Sequence, residues 1–245
     1  MIQTKRTASS GDSGDDARPG GTTPRVADRN RTTSETRIRL RLNLDGRGRY
    51  KVSTTLPFLD HMLELFAKHG NFDLTVQAKG DTHIDDHHLV EDIGLALGEA
   101  LQEALGTKKG IVRYGQIFPL GKTAPPPVPS PSMGEGRGGG VGKALTTMDE
   151  TLSYVALDLS GRPYFDFKVK FQVQNKAPFS FELLDDFFQA IAMSAKMNLH
   201  IKLLQGRNNH HISESIFKGF ARALSMAVRI DPRRASSVPS TKGSL

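Results

Sequence analysis

Residues 84–92 read IDDHHLVED and residues 208–215 read NNHHISES, so His-His-x-x-Glu occurs twice in a chain with eight histidines. The two copies set His87, His88 and Glu91 opposite His210, His211 and Glu214. Thirteen positions after each first histidine comes Ala-Leu, at Ala100-Leu101 and Ala223-Leu224, and the register therefore holds along a whole helix. The flanking segments repeat in the same order. In the first half, RIRLRLNL (37–44) alternates apolar and polar residues as a half-buried strand does, DGRG is a turn, and YKVSTT is the returning strand. Pro57 opens an amphipathic helix, PFLDHMLELFAKHG, stopped by Gly70; the strand FDLTVQA follows, then the helix DDHHLVEDIGLALGEALQEALG ending at Gly106. In the second half SYVALDL and YFDFKVKFQV are strands joined by SGRP, SFELLDDFFQAIAMSAK is a helix, NLHIKLL a strand, and the helix of NNHHISES closes the unit. The fold class is α+β, an internally duplicated ββαβα unit with repeats at 31–115 and 148–230, whose sheets pack side by side or face to face.

Two segments stand outside this pattern. Residues 1–30 are rich in Gly, Ser, Thr, Asp and Arg without apolar periodicity and read as a disordered N-terminal arm. Residues 121–147 hold five of the thirteen prolines and seven of the 24 glycines and read as an inserted loop. That loop contains GEGRGG and ends near Gly-Lys, but no strand precedes the glycines and Ala144 follows the lysine, so neither pattern is a nucleotide-binding loop.

Composition excludes several function classes. Without cysteine there are no disulfides, thiolate metal sites or cysteine nucleophiles. No apolar run approaches a membrane span, and the amino terminus lacks an apolar signal core. A cytoplasmic protein is the expectation, with a plastid as the other compartment. The net charge of +7 raises nucleic-acid binding, but the basic residues are scattered and no tryptophan is present. Such charge fits a solvated surface or an anionic small-molecule site better.

On a helix, residues three and four apart share a face, so Glu91 lies beneath both histidines of its pair. Adjacent residues point about 100° apart, and His87 and His88 therefore aim at different places. Two such helices direct four histidines and two glutamates toward two points, which suits two metal ions, with nitrogen and carboxylate donors appropriate to Mn, Fe, Co, Ni or Zn. Asp85-Asp86 would cap the helix and hydrogen-bond the ligand histidines. Neither H-E-x-x-H nor H-x-x-E-H occurs, which argues against a peptidase. His200, inside the strand NLHIKLL, reads as a core histidine. By the repeat, Asp186 in LLDDFF stands opposite His61 in LDHM.

FLDHMLELFAKHGNFDLTV, GDTHIDDHHLVEDIGLALGEAL, DLSGRPY, NLHIKLLQGRNNHHISESIFKGFARAL and VPSTKG together resemble the imidazoleglycerol-phosphate dehydratase family, from about Arg25 to Leu245 apart from the insertion. The resemblance implies a fold like domain 2 of ribosomal protein S5, over 31–245, with a substrate-binding tail at 231–245. It implies dehydration of imidazole glycerol phosphate to imidazole acetol phosphate in histidine biosynthesis, through an imidazolate held by two Mn(II) ions per active site. It also implies a large homo-oligomer of cubic symmetry, a 24-mer in that family, with active sites between subunits. Carried across by motif, the metal ligands are His61, His87, His88, Glu91, His210, His211 and Glu214, with Asp186 at the eighth position. Arg113, Arg162, Ser240 and Lys242 match the phosphate-binding set, and His69 and Lys218 fall at further substrate contacts. Read alone, the two arginines are ordinary surface charge. Glu35 in RTTSETRI matches the family's catalytic acid/base, although by itself it looks like an exposed charge at a strand start. The family has histidine where this chain has Asp186. A shorter, anionic ligand there would lower the metal's Lewis acidity or empty the site, leaving as a rival an impaired paralogue that keeps the fold.

Overall fold

The computed structural model describes residues 24–116, 145–173, 179–243 and 245. Among these residues nine strands and four helices run in the order β1 (Val26–Thr32), β2 (Thr36–Asn43), β3 (Tyr50–Ser53), α1 (Pro57–Gly70), β4 (Asp73–Gly80), α2 (His87–Leu105), β5 (Tyr114–Gln116), β6 (Thr146–Met148), β7 (Thr151–Asp158), β8 (Tyr164–Lys168), α3 (Leu183–Ser194), β9 (Asn198–Gln205) and α4 (Asn209–Val228). A 3-10 turn follows at Pro232–Arg234.

The α+β class and the duplication hold, with two corrections to the unit. The first sheet has the order β1-β2-β4-β3 and the second β5-β7-β9-β8, with β6 also on β7. β2 and β3 are therefore not a hairpin. β4 lies between them, antiparallel to β2 and parallel to β3, and β9 separates β7 from β8 in the same way. The six residues between β2 and β3 cross two strand spacings, about 10 Å, which such a loop spans easily. A turn motif marks where the chain reverses, but the next strand need not pair there. The second correction is an added edge strand. Val26–Thr32 pairs along its whole length with β2, so the segment read as a loose arm becomes strand at Val26, and residues 1–23 lie outside the described residues. Sequence reading missed β1 because, of its residues, only Ala27 is buried.

The second half carries this edge strand in two pieces. β5 ends with Gln116 opposite Ala156, and β6 begins with Thr146 opposite Ser153. β5 and β6 thus pair with β7 two partner positions apart, with Tyr154 and Val155 between them. The Pro/Gly-rich segment read as an insertion lies outside the described residues up to residue 144.

Helices of one half pack on helices of the other, α1 on α4 and α2 on α3, and each sheet covers the far side of its own pair. β2 buries Ile38, Leu40 and Leu42 and exposes Arg37, Arg39 and Arg41. Between α1 and α4 the Phe66 ring lies 5.1 Å from Phe72 and 5.7 Å from Phe220. α2 and α3 come closer still. A Cβ on Gly94 would sit 2.7 Å from the Phe187 carbonyl oxygen, and one on Gly98 2.8 Å from that of Ile191. These glycines let the two backbones approach.

Candidate active site

The α1–α4 contact builds the first cluster. His61 faces α4 from the second turn of α1, and Asn208 caps α4 by accepting the His210 amide at 2.9 Å. His61 Nε2 lies 3.3 Å and His210 Nε2 2.9 Å from the same Glu214 oxygen, Oε1. One donor atom from each of the three lies within 4.8 Å of the others. The other Glu214 oxygen accepts from the Lys218 ammonium. Burial raises the Glu214 pKa, but hydrogen bonds from Lys218, His210 and His61 outweigh it and pull the carboxyl down to about 2. An anionic oxygen flanked by two imidazoles is a donor set fitted to a divalent cation. His69 shares this neighbourhood, its pKa lowered by burial and by the charges of Lys218 and Arg222.

The counterpart on α2 and α3 is not closed in the same way. His87 Nε2 lies 3.6 Å from Glu91 Oε2, whereas Asp186 joins no cluster of three donors among the described residues. An aspartate carboxylate ends nearer its backbone than an imidazole Nε2 does.

His88 and His211 diverge from their neighbours, as adjacent helical positions must; the ring centroids are 6.1 Å apart in the first pair and 6.3 Å in the second. His88 Nδ1 lies 3.1 Å from Asp81 Oδ2, and this bond raises the His88 pKa. His211 Nδ1 lies 2.8 Å from Glu150 Oε2, and that bond, with amides of Asn208 and Arg207, holds Glu150 down at about 2. Asp85-Asp86 does not have the ligand-orienting role expected of it. Asp85 accepts the His87 amide at 2.8 Å as a cap, and the Asp86 side chain makes no capping bond.

Glu35 sits in the β1–β2 turn, where Thr33 Oγ1 accepts the amides of Glu35 at 3.2 Å and Thr36 at 2.9 Å. Thr36 donates its hydroxyl to the buried Asp92 at 2.5 Å, and Arg31 Nε donates to the same carboxylate at 2.8 Å. This fastens the turn to α2 and leaves Glu35 Oε2 4.0 Å from His88 Nδ1. Sequence reading missed Asp92; its signal was an acidic residue on the apolar face directly after Glu91.

Arg113, Arg162, Ser240 and Lys242 all line one cavity of about 730 Å³. Arg113 has a left-handed backbone, φ 78°. Its guanidinium grips Asp158 at 2.6 and 2.9 Å and donates to the Pro239 carbonyl at 2.8 Å, which ties the C-terminal segment to the second sheet. Behind this wall Lys108, 3% exposed, donates to the Leu159 carbonyl at 3.2 Å. His200 is not a core residue. It lies on the outer face of β9 with its ring 5.3 Å from Tyr164 and Nδ1 3.7 Å from Asp166, because Leu199 and Ile201 take the inward positions.

Comparison with known proteins shows the family. The imidazoleglycerol-phosphate dehydratase family model matches residues 54–224. Imidazoleglycerol-phosphate dehydratase of Methylorubrum populi is 47% identical over 221 residues, covering 90% of this chain and all of the relative. That of Geobacillus kaustophilus is 49% identical over 215 residues, 88% of this chain and 96% of the relative. Among solved structures, the Staphylococcus aureus enzyme superposes with a TM-score of 0.65 at 33% identity, covering 84% of this chain and 99% of its own. The Pyrococcus furiosus enzyme, solved in complex with (S)-C348, gives 0.67 at 32%, covering 89% and 100%.

Fold, site and relatives thus define an enzyme of the dehydratase class. The chain belongs to the imidazoleglycerol-phosphate dehydratase family, whose reaction is the dehydration of imidazole glycerol phosphate in histidine biosynthesis. Among the described residues no helix is long and apolar enough to cross a membrane.

Proposed function

We propose that this chain produces imidazole acetol phosphate with two Mn(II) ions per active site, in a large homo-oligomer whose sites lie between subunits. The observation that carries the metal reading is the cluster of His61, His210 and Glu214, three donors from two helices on one point. His87, Glu91 and Asp186 would supply the pseudo-equivalent donors for the second ion. His88 and His211, turned away from these sets, would serve ions shared with neighbouring subunits. Bound manganese supplies Lewis acidity that polarises the imidazole ring and makes the adjacent carbon acidic.

The protein's own groups do the rest. Arg113, Arg162, Ser240 and Lys242 hold the phosphate, the arginines as planar forks and the lysine as a point charge. Asp158 fixes the Arg113 guanidinium in the pocket wall. His69 and Lys218 contact the substrate beside the first cluster. Glu35 takes the proton from carbon and returns it to the departing hydroxyl, a role its ordered, solvent-reachable turn suits.

A second reading keeps the fold and one ion but loses turnover, and Asp186 outside any donor cluster favours it. Chelation followed by Mn(II) addition tests both. On the first reading activity disappears and returns, with two Mn(II) per chain. One Mn(II) and negligible turnover would establish the second reading, and Asp186→His should then restore both. Full activity after complete chelation would reject the metal altogether.

A further inference from the structure

His88 and His211 each have one ring nitrogen already engaged. His88 Nδ1 lies 3.3 and 3.1 Å from the two oxygens of Asp81. His211 Nδ1 lies 2.8 Å from Glu150 Oε2. The two carboxylates are not equivalent in the internal repeat. Asp81 follows β4, seven residues before its histidine, whereas Glu150 sits in the β6–β7 turn, 61 residues before its own. Glu150 occupies the turn that in the first half holds Glu35, whose Oε2 lies 4.0 Å from His88 Nδ1; in that half the nearer carboxylate is Asp81, at 3.1 Å, from the loop after β4. The loops are themselves held. Glu150 Oε1 accepts the Asn208 amide at 3.0 Å and the Arg207 amide at 3.3 Å, and the Asp81 carbonyl accepts the Ile84 amide at 2.8 Å. On the other side of the His211 ring, Asp149 stands 3.7 Å from Nε2, beyond hydrogen-bond reach and largely exposed.

A carboxylate at Nδ1 draws the ring proton to that nitrogen and leaves the lone pair on Nε2. We propose that Asp81 and Glu150 are positioning residues, fixing His88 and His211 as Nε2 donors before a divalent cation arrives. This rests on the reading of both histidines as ligands, and it assigns to Asp81 and Glu150 the role that the adjacent Asp85-Asp86 does not fill. Partners of this kind govern both the tautomer and the ring orientation, and losing one weakens metal binding by about 10- to 100-fold.

The test uses the full chain and Mn(II), with free Mn(II) followed by electron paramagnetic resonance during titration. Asp81→Ala should weaken one class of bound ion by about 10- to 100-fold and leave the other class unchanged; Glu150→Ala should do the reverse. Asp81→Asn and Glu150→Gln should fall between, since an amide oxygen still accepts but carries no charge. A folded variant that binds both ions as the parent does would overturn the proposal. So would an equal weakening of both classes by either variant, which marks general loosening. Should the alanine variants fail to fold, the Asn and Gln variants decide by the same criteria. A second readout separates this claim from the metal reading. In metal-free protein carrying 15N-labelled histidine, the ring shifts of His88 and His211 should report protonated Nδ1 and bare Nε2. If the parent binds no Mn(II), the metal reading fails, and the ring shifts still decide the positioning claim.

Discussion

At the scale of single residues, the site is organised by carboxylates whose charge the fold protects. Glu150, Glu214 and Asp231 are all held down at about 2, the last chiefly by Arg233. Their pKa values in the unfolded chain are ordinary, so the unfolded state binds more protons as pH falls. Their stabilising effect is complete above the unfolded carboxylate pKa and disappears as pH drops from about 4.5 toward 2. Melting temperature of the metal-free protein should fall steeply in that window, and less steeply in Glu214→Gln. An equal slope in the two would show that Glu214 contributes nothing to it. The pairing of histidine with glutamate four residues on was legible in the sequence, because helix geometry alone sets it. The partners of His88 and His211 were not, because a contact across seven or 61 residues depends on where a loop runs. The neighbouring aspartates drew attention by proximity, and the chain uses one of them only as a cap.

At the scale of elements, the helix pairs decide which side chains meet. α2 approaches α3 through Gly94 and Gly98, and a Cβ at Gly98 would lie 2.0 Å from Ser194 Oγ and 2.8 Å from the Ile191 carbonyl oxygen. The serine can turn away but the carbonyl belongs to α3 backbone. Gly98→Ala would gain up to about 1 kcal/mol of helix propensity. The overpacking costs about 1–3 kcal/mol. A net fall in melting temperature of a few degrees is expected, and a rise would mean that α3 shifts freely. The second sheet makes a different prediction. Since β5 and β6 pair with one strand in a common direction, separated by only two partner positions on β7, residues 117–145 are replaceable by two residues. Loop length enters stability only logarithmically, and the shortened chain should fold with equal or higher melting temperature. A collapse of folding would show that the segment is needed where it stands. Strand count and strand partners are only weakly written in the sequence. Alternation names the buried face of β2, but the polar β1 buries a single residue and β3 gives no sign of bypassing β2.

At the scale of the whole molecule, the two repeats meet through their helices, and the first donor cluster spans that junction. His61 and Glu214 are 153 residues apart and come from opposite halves. A cation held there staples one half to the other and stabilises the folded state by linkage. At a free concentration a hundred times its dissociation constant the gain is about 2.7 kcal/mol. For a domain of this size that corresponds to a rise in melting temperature of roughly 5–10 °C. Thermal melts across a Mn(II) series should show the rise, and Glu214→Gln should flatten it; a melting temperature indifferent to Mn(II) would remove the staple. The sequence by itself determined the duplication, the α+β class, the paired His-His-x-x-Glu helices and the odd position of Asp186, because each is written in local periodicity or in the register between halves. Only the tertiary structure decided the strand order, the meeting of α1 with α4, and the carboxylates behind His88 and His211. Those depend on contacts between residues far apart in the chain, fixed by which apolar faces bury each other and by how closely two backbones can approach.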